Sequence, residues 1–76
     1  MSEPQCVTFP YGTQEWRVNG KLHRDDGPAV VRANGSQEWY RDGQRHREGG
    51  PAVIYADGSE EYWEHGERRY PQLKIW

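Results

Sequence analysis

His23-Arg24-Asp25-Asp26-Gly27-Pro28-Ala29-Val30-Val31 is read again, 23 residues further on, as His46-Arg47-Glu48-Gly49-Gly50-Pro51-Ala52-Val53-Ile54. Extending the offset to the pairs from 11/34 to 31/54 gives eleven identities in twenty-one positions. The register then runs from 27–47 onto 50–70 through Gly58, Ser59, Glu61, Gly66 and Arg68, with Tyr62 in the Trp column. A short, strict period signals one small unit used repeatedly, each copy burying its apolar side only against its neighbours. The spacing predicts about three units, near 4–26, 27–49 and 50–72, with a cap at 71–76, in a single domain spanning 1–76. Function is then to be sought on a surface.

Each unit reads as a β-hairpin. Ala29-Val30-Val31-Arg32 and Ala52-Val53-Ile54-Tyr55 are short β-prone runs, followed by Asn34-Gly35 and Asp57-Gly58. Such dipeptides are strong signals for a two-residue type I′ turn, in which both central residues take positive φ. Tyr11-Gly12 holds that place in the first unit, after Cys6 to Phe9 and Pro10, and predicts an irregular cap. With a two-residue loop Val30 faces Trp39, Val7 faces Trp16 and Val53 faces Tyr62, a Val-plus-aromatic column expected to form the core. Trp39 is then core and Tyr40 is not. The other face carries Thr8/Glu15, Val31/Glu38 and Ile54/Glu61, a half-wet surface. Asn19-Gly20, Asp42-Gly43 and His65-Gly66 mark second turns, and Gly-Pro opens the following strand, where the missing N–H of proline is harmless. No window shows a 3.6-residue apolar period, so the expectation is all-β: six to eight short antiparallel strands built from stacked hairpins.

Composition narrows the function classes. In 76 residues, ten Lys/Arg stand against twelve Asp/Glu, giving a net charge of −2 with the signs well mixed. That balance suits neither a phosphate-binding surface nor an acidic nucleic-acid mimic, so no nucleic-acid partner is expected. The single Cys6 excludes an intrachain disulfide and a thiolate metal site, and suits a reducing cytoplasm. Met-Ser-Glu-Pro-Gln has neither a basic start nor an apolar run, and no stretch approaches the ~20 apolar residues of a membrane helix. Neither a signal peptide nor a membrane partner is expected.

The 23-residue period, the strand–Asp-Gly–strand–Asn-Gly layout and the second-strand aromatic resemble MORN repeats (membrane occupation and recognition nexus). More narrowly, Asn-Gly-Lys-Leu-His-Arg-Asp-Asp-Gly-Pro-Ala-Val at 19–30 is similar to a variant found in proteins of bacteriophages and large DNA viruses. The resemblance covers roughly residues 6–70. It implies an elongated, twisted antiparallel sheet and a binding or scaffold role. The Tyr-x-Gly-x-Trp spacing of ordinary MORN units is not kept here, and His-Arg followed by Gly-Pro replaces the usual Gly-x-Gly.

Candidate chemistry is sparse. His23 and His46 hold equivalent loop positions, each followed by Arg and an acid, but Arg69 stands where a third His belongs. A zinc site needs three or four converging ligands, whereas stacked repeats place equivalent residues in a ladder. No metal, cofactor or catalytic residue is therefore assigned; the expected role is a His-Arg-acid cluster pinning the Gly-Pro connection. The column after the Trp column runs Arg17, Tyr40, Trp63, as if it served something other than stacking. Tyr40, Arg41, Tyr55 and Trp63 are the candidate protein-binding residues, since exposed Tyr, Trp and Arg dominate interface energetics. Arg68 to Trp76 leaves the repeat after Tyr70, and its apolar end is expected to cap the third unit or dock onto a second copy, making a homodimer possible.

The expected function is non-enzymatic protein binding. Its concrete form is a phage-encoded inhibitor acting in the host cytoplasm on a host protein, for instance an anti-CRISPR-type protein. Two alternatives remain at this point. One is a nucleotide-sequestering protein, marked by two or more Arg beside Tyr40 or Trp63 in a concave pocket; the other is a structural assembly repeat.

Overall fold

The computed structural model describes residues 4–69, and the expected cap at 71–76 lies outside them. Ten short strands follow in order, with no helix among the described residues: β1 (Gln5–Thr8), β2 (Gln14–Val18), β3 (Lys21–Leu22), β4 (Val30–Val31), β5 (Gln37–Glu38), β6 (Tyr40–Arg41), β7 (Gln44–Arg45), β8 (Val53–Ile54), β9 (Glu60–Glu64) and β10 (Glu67–Arg69). The fold is all-β. Eight strands form one antiparallel sheet in the order β1-β2-β4-β5-β8-β9-β10, with β3 also on β2; β6 and β7 make a separate hairpin. The result is a slab of 46 × 29 × 17 Å. No helix of the described residues is long and apolar enough to cross a membrane.

The turns exchange the roles expected of them. Positive φ at two successive residues occurs at Asn19-Gly20, Asp42-Gly43 and His65-Gly66, so these second turns are the two-residue ones. At Asn34-Gly35 and Asp57-Gly58 only the glycine is left-handed. Arg32 N–H donates to Ser36 O (2.8 Å) and Gly35 N–H to Arg32 O (2.9 Å), closing a loop of three residues, 33–35. The Asn34 Oδ1 accepts from Ser36 N–H, and Asp57 Oδ1 from Ser59 N–H, both at 2.9 Å. An Asx-type bond of this kind stabilises the longer loop. Gly35 has φ +96°, so Gly35→Val is expected to lower stability by more than about 1 kcal/mol in a denaturant titration.

One extra loop residue shifts the whole register. Val30 pairs with Glu38 and Val31 with Gln37; Val7 pairs with Glu15, and Val53 with Glu61. The expected partners of the valines, Trp16, Trp39 and Tyr62, are therefore displaced by one position, and a one-residue slip moves side chains to the other face. Val and Glu now alternate across the sheet in one row: Val7, Glu15, Val30, Glu38, Val53, Glu61. Among the described residues the buried apolar core is small: Ala29, Val30, Ala52 and Val53, each at most 2% exposed. Trp16, Trp39 and Tyr62 are only half-buried, as is Tyr40, so the expected division into a core Trp39 and an exposed Tyr40 does not hold. Ala29 N–H also reaches Glu38 O (2.7 Å), so two residues of one strand oppose one of the other, the mark of a bulge.

Successive hairpins are joined by bonds that recur at the 23-residue offset. Arg24 N–H donates to Tyr40 O (3.2 Å) and Arg47 N–H to Trp63 O (3.1 Å). The His23 Nδ1 accepts from Asp42 N–H, and His46 Nδ1 from His65 N–H, both at 3.0 Å. Each histidine thus ties its own connection to the left-handed turn of the next hairpin, satisfying a backbone donor that would otherwise need water.

Candidate protein-binding face

Glu38 is the centre from which the face is built. It lies between Val30 and Val53 in the row and its side chain is 6% exposed, an unusual place for a carboxylate unless donors surround it. Arg32 Nε donates to its Oε2 (2.8 Å) and the Tyr40 hydroxyl to its Oε1 (2.8 Å), while Arg45 Nη2 stands 3.8 Å away. Arg45 Nε also donates to the Tyr40 oxygen (3.3 Å). Glu61 repeats the pattern with other donors. The Tyr55 hydroxyl serves its Oε2 (2.8 Å) and the Trp63 Nε1–H its Oε1 (2.9 Å), with Arg45 and Arg68 at 3.7 and 3.8 Å. In the first hairpin Arg17 grips Glu15 with Nε and Nη2, at 3.0 and 2.7 Å.

A rule for the variable column follows. Arg17, Tyr40 and Trp63 share no shape, yet each donates to the Glu two residues before it. Residues two apart on a strand share a face, so any side chain with a donor at the right reach will serve. The column conserves a proton donor and leaves free what the rest of the side chain shows to solvent.

Tyr40, Tyr55 and Trp63 are thereby brought together around Arg45, whose guanidinium carbon sits 5.0 Å from the Trp63 ring centre. Arg41 is not part of this group: it follows Tyr40 in β6, and its guanidinium lies 3.6 Å from Asp25. Sequence reasoning missed Arg45, Glu38 and Glu61, although the two carboxylates recur at the 23-residue offset and each precedes a donor by two positions. The bonding shows in the acidities. Burial pushes the Tyr40 phenol up, and the bond to Glu61 does the same for Tyr55. Donation from Trp63 and Tyr55 holds the Glu61 carboxyl below its ordinary value.

For Glu61 the sign is fixed by that direction. A carboxyl lowered in the folded state contributes stability above its unfolded pKa of about 4.3 and loses it as pH falls through the folded value. Thermal melts taken from neutral pH down to about 3 are expected to fall less steeply for Glu61→Gln than for the parent chain. Equal slopes would mean that the bonds to Tyr55 and Trp63 carry no linkage.

A groove of about 520 Å³ runs between the two His-Arg connections, lined by Arg24, Asp25, Asp26, Trp39, Arg41 and Arg47 among others. Arg47 stacks on Trp39 and Arg24 on Trp16, each 4.0 Å from the ring centre. The same two guanidiniums donate to Pro51 O (3.0 Å) and Pro28 O (3.2 Å), so they hold the Gly-Pro connections in place. The His46 Nε2 is buried without a hydrogen-bond partner, 3.5 Å from Glu48, whereas His23 Nε2 stands 3.1 Å from Asp25. Compared with known proteins, the chain matches no family model, no curated protein and no solved structure.

Proposed function

We propose that the protein is a non-enzymatic binding module that engages a protein partner through Tyr40, Arg45, Tyr55 and Trp63. One observation carries this reading: the polar tips of all three aromatic side chains are already bonded to Glu38 or Glu61. A partner covering the rings therefore leaves no phenol O–H or indole N–H without an acceptor, and the rings are held in place before it arrives. Both effects reduce the cost of association, and Tyr, Trp and Arg are the side chains most often found to dominate binding. The similarity of the His-Arg-x-x-Gly-Pro-Ala motif to phage proteins supports the concrete form, a phage product occupying a protein of its bacterial host.

With a partner captured from host lysate and purified, Trp63→Ala is expected to weaken binding by about tenfold or more, since truncating a hot spot costs about 2 kcal/mol or more. Arg41→Ala, which alters a residue outside the group, is expected to leave affinity unchanged. Circular dichroism should be the same for both variants. Loss of affinity with Arg41→Ala and none with Trp63→Ala would move the site to the groove.

A second reading has its own observation. Arg24, Arg41 and Arg47 meet beside Trp39 and Tyr40 in the groove, the arrangement expected of a nucleotide-sequestering protein. Against it, Asp25, Asp26 and Glu48 line the same groove, and Arg24 and Arg47 are engaged with proline carbonyls. A thermal-shift series with mono-, di- and cyclic nucleotides decides it: a rise in Tm abolished by Arg41→Ala would favour this reading.

A further inference from the structure

β4 and β8 are each paired on both sides, β4 with β2 and β5, β8 with β5 and β9. The strand 23 residues before β4 is β1, and among the described residues it pairs only with β2. All four of its residues are exposed; Val7 is 43% exposed, where its counterparts Val30 and Val53 are at 2% and 0%. At the other end, β2 and β5 receive β4 and β8 on their far edges, while the Glu60–Glu61 part of β9 receives no strand there among the described residues. Among the described residues two edges are thus open, and each is the shape that the other end fills twice within the same molecule.

We propose that copies of the chain assemble head to tail, β1 of one copy adding to the open edge of β9 of the next. The register is dictated by the two junctions already present. Glu15 pairs with Val30 and Glu38 with Val53, so Glu61 of one copy takes Val7 of the next; Gln14 with Val31 and Gln37 with Ile54 place Glu60 against Thr8. Trp16 N–H donates to Ala29 O (2.8 Å) and Trp39 N–H to Ala52 O (2.7 Å), which puts Tyr62 N–H on Cys6 O. The charges agree. Arg45 reaches across a junction to Glu61 at 3.7 Å, and Arg68 at the same position reaches Glu15 of the added copy. Unpaired edge strands are templates for such addition, and Val7 loses its exposed surface in the process.

This contact is heterologous, so it propagates into a filament, or closes into a ring if the twist permits. It is weaker than the internal junctions in one respect. Arg69 stands where His23 and His46 accept the N–H of the next turn, and that bond is not made.

The test uses the full chain. Directly opposed residues on antiparallel strands have Cα atoms about 5.5 Å apart, within disulfide reach. Tyr62→Cys under mild oxidation is expected to give a ladder of covalent oligomers on a non-reducing gel, with peptide mapping showing bridges between Cys6 and the introduced thiol. Sedimentation of the parent chain should show average mass rising with concentration, and Val7→Glu should abolish both the rise and the ladder. A parent chain that sediments as one copy at every concentration overturns the proposal. Assembly undiminished by Val7→Glu, or bridges between Cys6 and Cys6 alone, would overturn it equally.

Discussion

Replacing Val53 by alanine is expected to cost about 2–3 kcal/mol, the transfer free energy of a fully buried valine plus the cavity left behind. Val53 has no exposed surface and lies between Glu38 and Glu61 in the central row of the sheet. Val7 holds the same place in the first hairpin but is 43% exposed, so Val7→Ala should change stability by less than about 1 kcal/mol. The comparison belongs at a dilution where the chain sediments as a single copy. A small domain has roughly 5 kcal/mol in hand, so Val53→Ala alone should populate the unfolded state measurably. Trp39→Ala should cost less than Val53→Ala, because Trp39 is half-exposed and its ring serves as the seat of Arg47. The opposite order in a denaturant titration would return the core to the Trp column.

Glu38→Ala is expected to be comparably damaging, by about 2–3 kcal/mol, because hydrogen bonds to a buried charge exceed neutral ones and their loss leaves partners unsatisfied. The cost stays below that of orphaning a fully buried ion, since Arg32 and Arg45 retain access to water, with side chains 49% and 31% exposed. Glu38→Gln keeps the shape and one acceptor for the Tyr40 hydroxyl, and should recover part of the loss. Urea titration of both variants checks this. Parent-like stability for Glu38→Ala would show that the carboxylate is a passenger between two valines.

The sequence made the strands and hairpins legible, because the 23-residue offset and the Asn-Gly and Asp-Gly dipeptides mark turns whatever their length. Loop length was not legible from the dipeptide. Asn34-Gly35 and Asp42-Gly43 look alike, yet the first closes a three-residue loop and the second a two-residue one. The longer loops carry an added bond: the backbone N–H groups of Ser36 and Ser59 donate to the Asn34 and Asp57 side chains. The first loop of the chain closes in the same way between Phe9 and Thr13, with Tyr11 in the Asx place, and the three loops together exchange the partners of the valines. Tyr40 and Trp63 keep a common face with Glu38 and Glu61 because alternation along a strand survives a shift of the facing strand, whereas Tyr55, on the strand of Val53, joins them only in the observed register. The carboxylates were missed because Glu is ordinarily a surface residue, and Glu38 is buried only where Arg32, Tyr40 and Arg45 converge on it.

The face exists only if the first loop of the second hairpin has three residues. Arg32 and Ser36 form a hydrogen-bonded pair, which makes Val31 and Gln37 the next, non-hydrogen-bonded pair, with their Cα atoms about 4.5 Å apart. A nuclear Overhauser measurement on the folded chain is expected to show a strong Hα–Hα cross-peak between Val31 and Gln37. A strong cross-peak between Arg32 and Gln37 in its place would mean a two-residue loop, would return Val30 to Trp39, and would dissolve the Glu38-centred face.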